Sequence, residues 1–109
     1  MAYDAALAQR VRDQIMGLPG MSEKKMFGGL CFLMYGNMVG GVAGDRLMLR
    51  VGPEKYEAAL KKKHAMPMTF TGRPMKGMIF VDPEGTTRKA SLAGWLKLGL
   101  DYAGSLPKK

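Results

Sequence analysis

The first part of the chain has the apolar period of a helix. Its large apolar residues recur at i, i+4, i+8 and i+11, at Leu7, Val11, Ile15 and Leu18. The charged residues between them mostly lie off that stripe, so the pattern predicts an amphipathic helix over residues 4–17. Asp4 falls in the first turn, where its negative charge suits the helix dipole. Gly17 and Pro19-Gly20 end the helix.

After residue 26 the pattern changes to short apolar runs. Three runs are separated by turn residues at hairpin spacing: residues 30–34, 38–42 and 47–51. The turns are Tyr35-Gly36-Asn37 and Gly44-Asp45. This arrangement is typical of three antiparallel strands. A further short strand at residues 23–27 is an option that the pattern leaves open.

A second helix and two more strands follow. Pro53 opens the helix at Gly52-Pro53-Glu54, because proline at the first helical position loses only an amide hydrogen that would be unpaired anyway. The residues that share one face of this predicted helix are Tyr56, Ala59, Leu60 and Lys63. Residues 68–71 and 78–81 then predict two strands, with Thr71-Gly72-Arg73-Pro74 turning between them.

The last helix begins after a turn. In Asp82-Pro83-Glu84-Gly85, the Asp, Pro and Gly occupy the positions that a type I turn favours. Thr87 is placed to cap the helix that follows. The apolar stripe of this helix comprises Leu92, Trp95, Leu96, Gly99 and Ala103.

These elements predict a single domain over residues 1–109 with an α+β two-layer sandwich. Helices cover one face of an antiparallel sheet, in the order α-β-β-β(-β)-α-β-β-α. The strand at residues 30–35 alternates apolar residues on both of its faces, with Phe32 on one side and Cys31 on the other. The second face of the sheet therefore needs a cover. A homodimer is the simplest cover, and a helix of the same chain is the alternative.

Charge is unevenly distributed along the chain. The net charge is +8. Residues 1–60 hold 7 Lys/Arg and 6 Asp/Glu, whereas residues 61–109 hold 10 Lys/Arg and 3 Asp/Glu, so +7 of the excess lies in the second part. A basic region of this kind attracts nucleic acid, acidic proteins or anionic surfaces, but charge alone gives no specificity.

The sequence also indicates a compartment. No apolar run approaches the roughly 20 residues needed to cross a bilayer. The N-terminus lacks the basic and apolar regions of a signal peptide. One cysteine, Cys31, cannot form an internal disulfide. We therefore expect a cytoplasmic protein without a membrane partner.

Few residues are suited to catalysis. Cys31 lies within a predicted strand, where a thiol behaves as a small hydrophobe, and His64 follows a lysine run at a helix end, where a solvated side chain is expected. One Cys and one His cannot supply the three or four ligands of a zinc site. The glycines at Gly36 to Gly41 lie between strands and not before a helix, so they do not form a dinucleotide loop. We expect no catalytic residue, no cofactor and no metal.

Two groups of basic residues are candidates for binding. Those that flank predicted turns are Lys24, Lys25, Arg50, Arg73 and Lys76, which would form a basic rim for phosphate or carboxylate if their loops meet. The second group, Lys61, Lys62 and Lys63, is the candidate for nucleic-acid contact. Because the same helix carries Glu54 and Glu57 near its start, its charges also fit the helix dipole. A solvated surface is the alternative for both groups.

Glycine-punctuated segments connect the sequence with a known family. They are Met26-Phe27-Gly28-Gly29-Leu30-Cys31-Phe32 and Phe70-Thr71-Gly72-Arg73-Pro74-Met75-Lys76-Gly77, joined by Arg50-Val51-Gly52-Pro53-Glu54, with Met1-Ala2-Tyr3-Asp4 at the start and Ser105-Leu106-Pro107 at the end. In order and spacing, the chain resembles the amino-terminal domain of the TfoX/Sxy competence-regulator family over essentially its whole length.

The resemblance implies a cytoplasmic bacterial domain related to regulators that promote competence-gene expression, in the best-known members together with the cAMP receptor protein. Those members carry an additional C-terminal domain, for which this chain has no residues after Lys109. We expect a non-enzymatic regulatory module that contacts a partner protein, with the transcription machinery as a candidate partner. Nonspecific nucleic-acid binding through residues 61–109 is the alternative, and small-anion binding is a further one.

Overall fold

A computed structural model describes residues 3–26, 28–70 and 72–108, and for residues 26, 70 and 73–75 it describes the backbone alone. The strands are β1 (Met21–Met26), β2 (Gly29–Met34), β3 (Asn37–Ala43), β4 (Arg46–Arg50), β5 (Ala65–Phe70) and β6 (Arg73–Val81). The α-helices are α1 (Ala5–Ile15), α2 (Tyr56–Leu60) and α3 (Lys89–Gly104), and Pro83–Thr86 forms a 3-10 turn.

The six strands form one antiparallel sheet in the order β1-β2-β3-β4-β6-β5. The predicted α+β class, two-layer sandwich and element order are confirmed. The strand that the sequence left optional is present as β1. No helix among the described residues is both long enough and apolar enough to span a membrane.

The main core lies between the sheet and the helices. Leu47 of β4 pairs with Val42 of β3 and with Val81 of β6, so these side chains share the face of the sheet that the helices cover. Trp95 and Leu96 of α3 pack into the same cluster. The predicted stripe of α3 is confirmed, because all five of its residues are buried.

The opposite face of the sheet carries a second cluster rich in methionine. Cross-strand pairing places one row of residues side by side, namely Lys24, Cys31, Gly41, Met48, Phe80 and Met66. The buried members of this second cluster are Cys31, Met38, Met48, Met68 and Met78. They are already buried within a single chain. This face thus carries an apolar cluster as predicted, and the burial of its five members does not require a second copy, whereas Met66 and Phe80 of the row are partly exposed.

The boundaries of α1 differ from the prediction. Asp4 precedes the helix as its N-cap, and its Oδ1 accepts hydrogen bonds from the amides of Ala6 at 2.9 Å and Leu7 at 3.1 Å. These bonds satisfy amides that the first turn leaves unpaired. The helix ends at Ile15, so Leu18 lies outside the stripe to which the sequence assigned it and is 40% exposed.

The region from Arg50 to Tyr56 also differs from the prediction. The amides of Val51 and Gly52 both donate to the Gly77 carbonyl oxygen, at 2.8 and 3.1 Å. This pairing keeps Val51 and Gly52 beside β6, and α2 begins at Tyr56 and not at Pro53. Arg73 begins β6 and is not part of a turn, whereas Thr71 of the predicted turn lies outside the described residues.

The C-terminal segment is attached to the hairpin between β2 and β3. Tyr35 and Gly36 both have positive φ angles, of 49° and 83°, as a two-residue type I′ turn requires. The buried side chain of Asn37 donates from Nδ2 to the Pro107 carbonyl oxygen at 2.9 Å. The ammonium of Lys108 lies 4.2 Å from the centre of the Tyr35 ring. These contacts hold the chain end against the hairpin.

Two glycines of α3 provide a test of the packing against the sheet. A Cβ at Gly99 would overlap the Val39 carbonyl oxygen of β3, whereas a Cβ at Gly94 would meet no atom within 4 Å. We expect Gly99→Ala to lower the free energy of unfolding by about 1–3 kcal/mol, because it overpacks the interface. Gly94→Ala should raise it by up to about 1 kcal/mol through helix propensity. Urea denaturation measures both, and equal effects would contradict this packing.

Candidate functional site

The candidate site begins where the pairing of β5 with β6 ends. Ala65 pairs with Val81, and the next residues along the two strands are His64 and Asp82. The Asp82 amide donates to the His64 carbonyl oxygen at 3.0 Å. His64 has a φ of 76°, in the left-handed region that few residues other than glycine adopt. The backbone therefore holds these two residues side by side.

The side chains of His64 and Asp82 face one another. Nδ1 of His64 lies 3.1 Å from Oδ1 of Asp82, and the two side chains are 26% and 29% exposed. This approach does not have hydrogen-bond geometry, and the buried Oδ1 accepts no hydrogen bond from the described residues. A carboxylate oxygen of Glu84 lies nearby, so that one ligand atom from each of His64, Asp82 and Glu84 lies within 4.8 Å of the other two. His64 is therefore not the solvated helix-end residue that the sequence suggested.

The 3-10 turn fixes the position of Glu84 relative to His64. Within the turn, the Gly85 amide donates to the Asp82 carbonyl oxygen at 3.0 Å, as the predicted type I turn requires. Trp95 of α3 donates from Nε1 to the Gly85 carbonyl oxygen at 3.1 Å. A Cβ at residue 85 would lie 2.7 Å from Cβ of His64. Glycine is therefore needed here for the turn to pack against the histidine.

The start of α3 differs from the prediction that Thr87 caps it. Arg88 is the N-cap, and its side chain makes no capping hydrogen bond. The Thr87 hydroxyl donates instead to the Glu84 carbonyl oxygen at 3.4 Å. On the other side of the turn, Arg10 of α1 donates from Nη2 to the Thr86 carbonyl oxygen at 2.6 Å. The segment before α3 is thus held by the turn and by α1.

A cleft of about 610 Å³ lies between the end of α2, the 3-10 turn and α3. We call it the α2–α3 cleft. Its lining includes three basic side chains, those of Lys62, Lys63 and Arg88. It also includes His64 and Glu84, with Trp95 and Leu98 as apolar surface. Lys62 and Lys63, which the sequence proposed for nucleic-acid contact, therefore join a concave surface, and Lys61 is exposed beside them.

Of the other predicted basic residues, Lys24, Lys25, Arg50 and Lys76 lie outside this cleft. Lys24 and Lys25 are exposed on the edge strand β1, and β2 and β3 separate them from Arg50 in the sheet. The guanidinium of Arg50 lies 5.2 Å from the centre of the Tyr102 ring in α3, where it makes a cation–π contact. Lys76 is exposed on β6. The side chain of Arg73 lies outside the described residues, so its place in the proposed rim stays a prediction.

Cys31 lies at the centre of the methionine-rich cluster. Its side chain is fully buried in β2. Desolvation on burial raises the pKa of the thiol from 9.0 to about 11. A thiol is nucleophilic only as the thiolate, so burial and the raised pKa both disfavour reaction of Cys31 at neutral pH. This position agrees with the structural role that the sequence indicated.

Sequence reasoning missed three residues of the site: Asp82, Glu84 and Arg88. The sequence assigned the first two to a turn and gave the third no role. A signal was nevertheless present, because antiparallel pairing of the two strands around residues 65–81 places residue 64 opposite residue 82. Arg88 could not be found in this way, because its approach to Lys62 and Lys63 depends on the packing of α3.

The fold and the site define a small α+β domain with a concave basic surface and a buried thiol. A family model described as the TfoX N-terminal domain matches residues 13–103, which is most of the chain. The chain belongs to this family, and the resemblance is confirmed. The family supports a regulatory module in general terms. No curated protein and no solved structure matches the chain.

The raised pKa of Cys31 predicts a pH-dependent contribution to stability. Above pH 9, the unfolded chain loses the thiol proton while the folded chain keeps it, so the folded state loses stability as the pH rises from 9 towards 11. Cys31→Ala should cost about 1–2 kcal/mol at pH 7. We expect this difference from wild type to shrink by pH 10.5. Urea denaturation measures the free energy of unfolding of both proteins at both pH values, and subtracting one from the other removes the contribution of the other titrating groups. A difference that stays constant between the two pH values would contradict the raised pKa of Cys31.

Proposed function

We propose that this domain is a non-enzymatic regulatory module that binds an acidic surface of a partner protein in the α2–α3 cleft. One observation carries the proposal: Lys62 and Lys63, which follow α2, line the same cleft as Arg88, which lies at the start of α3. These residues come from separate segments. The fold therefore gathers part of the excess charge of residues 61–109 on one concave surface.

The lining of the cleft favours a protein over a nucleic acid. Trp95 and Leu98 place apolar surface beside the basic side chains. Protein interfaces commonly combine an apolar centre with a polar rim. The carboxylate of Glu84 also lines the cleft and can accept a hydrogen bond from a peptide amide. Because it repels phosphate and carboxylate groups alike, the apolar surface is the feature that favours a protein. An acidic segment with an apolar residue fits this combination best.

The family supports a partner that takes part in gene regulation. The chain belongs to the TfoX N-terminal domain family, and the resemblance described above connects that family with competence-gene expression. We propose a component of the transcription machinery as the partner. The proposal does not require chemistry at Cys31, because the thiol is buried and protonated at neutral pH.

Weak nucleic-acid binding is the second candidate function. The exposed side chains of Lys61, Lys62 and Lys63 favour it, because three consecutive cations beside Arg88 attract phosphate. Such binding would depend on charge alone, so its affinity should fall steeply with salt and show little sequence preference.

A charge-matched pair of variants tests the cleft. Lys62→Ala/Lys63→Ala/Arg88→Ala removes three charges from the cleft, and Lys24→Ala/Lys25→Ala/Lys76→Ala removes three from other exposed positions. The probe is a fluorescent peptide of glutamates with one tryptophan, followed by anisotropy. We expect the cleft variant to bind about tenfold more weakly, because three exposed ion pairs contribute roughly 1–3 kcal/mol together. The control variant should bind within twofold of wild type, and equal losses in both variants would contradict the proposal.

Duplex DNA distinguishes the second candidate in the same assay. At about 0.05 M salt we expect weak binding, and at about 0.15 M, where screening is stronger, we expect it to disappear. The glutamate peptide should keep part of its affinity at the higher salt through contact with the apolar surface. Submicromolar, sequence-selective binding of DNA at 0.15 M would reverse the order of the two candidates.

The homodimer is a separate proposal. It rests on the apolar residues on both faces of β2. The cluster of Cys31, Met38, Met48, Met68 and Met78 on the second face is buried in one chain, whereas Met66 and Phe80 on that face are partly exposed. A dimer would therefore use these partly exposed residues, another surface or the residues that the structure does not describe. Light scattering over a concentration series measures the mass, for which we expect two chains. A mass of one chain at micromolar concentration and above would contradict the dimer.

A further inference from the structure

We propose that His64, Asp82 and Glu84 form a binding site for a divalent transition-metal ion, with Zn²⁺ as the best match. One nitrogen and two carboxylate oxygens lie within 4.8 Å of one another at the edge of the α2–α3 cleft. This inference goes beyond the proposed function, because binding of an acidic partner by the lysines does not require a metal.

The distances agree with shared coordination. Zinc binds imidazole nitrogen and carboxylate oxygen at about 2.0–2.2 Å, so two ligand atoms at a tetrahedral ion lie roughly 3.4 Å apart. Nδ1 of His64 and Oδ1 of Asp82 lie 3.1 Å apart, which is close to that value. Glu84 is exposed, and its side chain can rotate to bring its oxygen nearer.

The unpaired oxygen of Asp82 supports the same inference. Its Oδ1 is buried and accepts no hydrogen bond from the described residues, although Nδ1 of His64 is close. Buried polar atoms are normally satisfied by a partner. A cation between Nδ1 and Oδ1 would satisfy both atoms. The alternative is an ion pair of Asp82 with a protonated His64, which leaves no place for a metal.

The types of donor select among metals. Calcium and magnesium prefer oxygen ligands alone, whereas imidazole suits zinc and other late transition metals. Three protein ligands would leave one position at a tetrahedral ion open. The nearby cations, Lys62, Lys63 and Arg88, lower the affinity for a metal. They would also attract an anionic group to the open position.

The backbone places the donors before a metal arrives. The hydrogen bond from the Asp82 amide to the His64 carbonyl oxygen joins two ligands directly. Trp95 holds the turn that carries Glu84 through the Gly85 carbonyl oxygen. A site whose ligands are already positioned loses less conformational entropy on binding.

Calorimetric titration of tag-free protein with Zn²⁺ tests the site. We expect one ion per chain and a rise in the melting temperature with zinc concentration, because a ligand that binds only the folded state stabilises it. Glu84→Gln keeps the shape of an exposed side chain, and its matched control is Glu57→Gln, an exposed residue of α2 outside the cluster. Glu84→Gln should weaken zinc binding at least about tenfold, because even the loss of a residue that only hydrogen-bonds to a metal ligand has an effect of this size. Glu57→Gln should leave zinc binding unchanged.

A histidine variant separates the metal site from the ion pair. His64→Asn removes the imidazole, and asparagine tolerates the left-handed backbone that residue 64 adopts. We expect this variant to retain its circular dichroism spectrum and lose at least about tenfold in zinc affinity. Sub-stoichiometric zinc binding by wild type, or equal zinc affinity in Glu84→Gln and Glu57→Gln, would overturn the proposal and leave the ion pair as the role of these residues.

Discussion

The position of β6 between β4 and β5 is the constraint on which the rest of the structure depends. Through its backbone, this strand joins the hairpins of the first part of the chain to the segment that follows α2. Its Gly77 carbonyl oxygen accepts two amides after β4, and its far end leads directly into the 3-10 turn. The core, the start of α2 and the cleft are therefore all set by pairing with one strand.

The sheet and its helices could be predicted because their signals are local. Short apolar runs separated by turn residues indicated β2, β3 and β4, and an apolar period of three to four residues indicated α1 and α3. The errors occurred where tertiary contacts outweigh local preference. Pro53 is a favourable helix start, but Val51 and Gly52 before it are paired with Gly77 of β6, and the helix begins three residues later, at Tyr56. Arg73 stands next to Gly72 and a proline, yet strand pairing with Phe70 includes it in β6.

The site was harder to predict because its residues come from different elements. Lys62 and Lys63 can be recognised in the sequence as part of a run of lysines. Arg88 lies beside them only because α3 packs there. His64 and Asp82 are 18 positions apart in the sequence and become neighbours through strand register alone. His64 is the single histidine of the chain, and a single histidine does not by itself indicate a site. What distinguishes His64 is a left-handed backbone beside an unsatisfied carboxylate oxygen.

The attachment of Pro107 to Asn37 has a practical consequence for joining this domain to something else. It holds Pro107 beside the β2–β3 hairpin, near the C-terminal end of α3, whereas Arg88 of the cleft lies at the N-terminal end of that helix. The 16 residues of α3 separate these two ends by about 24 Å at 1.5 Å per residue. A fluorescent protein, an affinity handle or an immobilising linker attached through this segment would therefore start at the end of α3 opposite to Arg88, away from the basic side of the cleft.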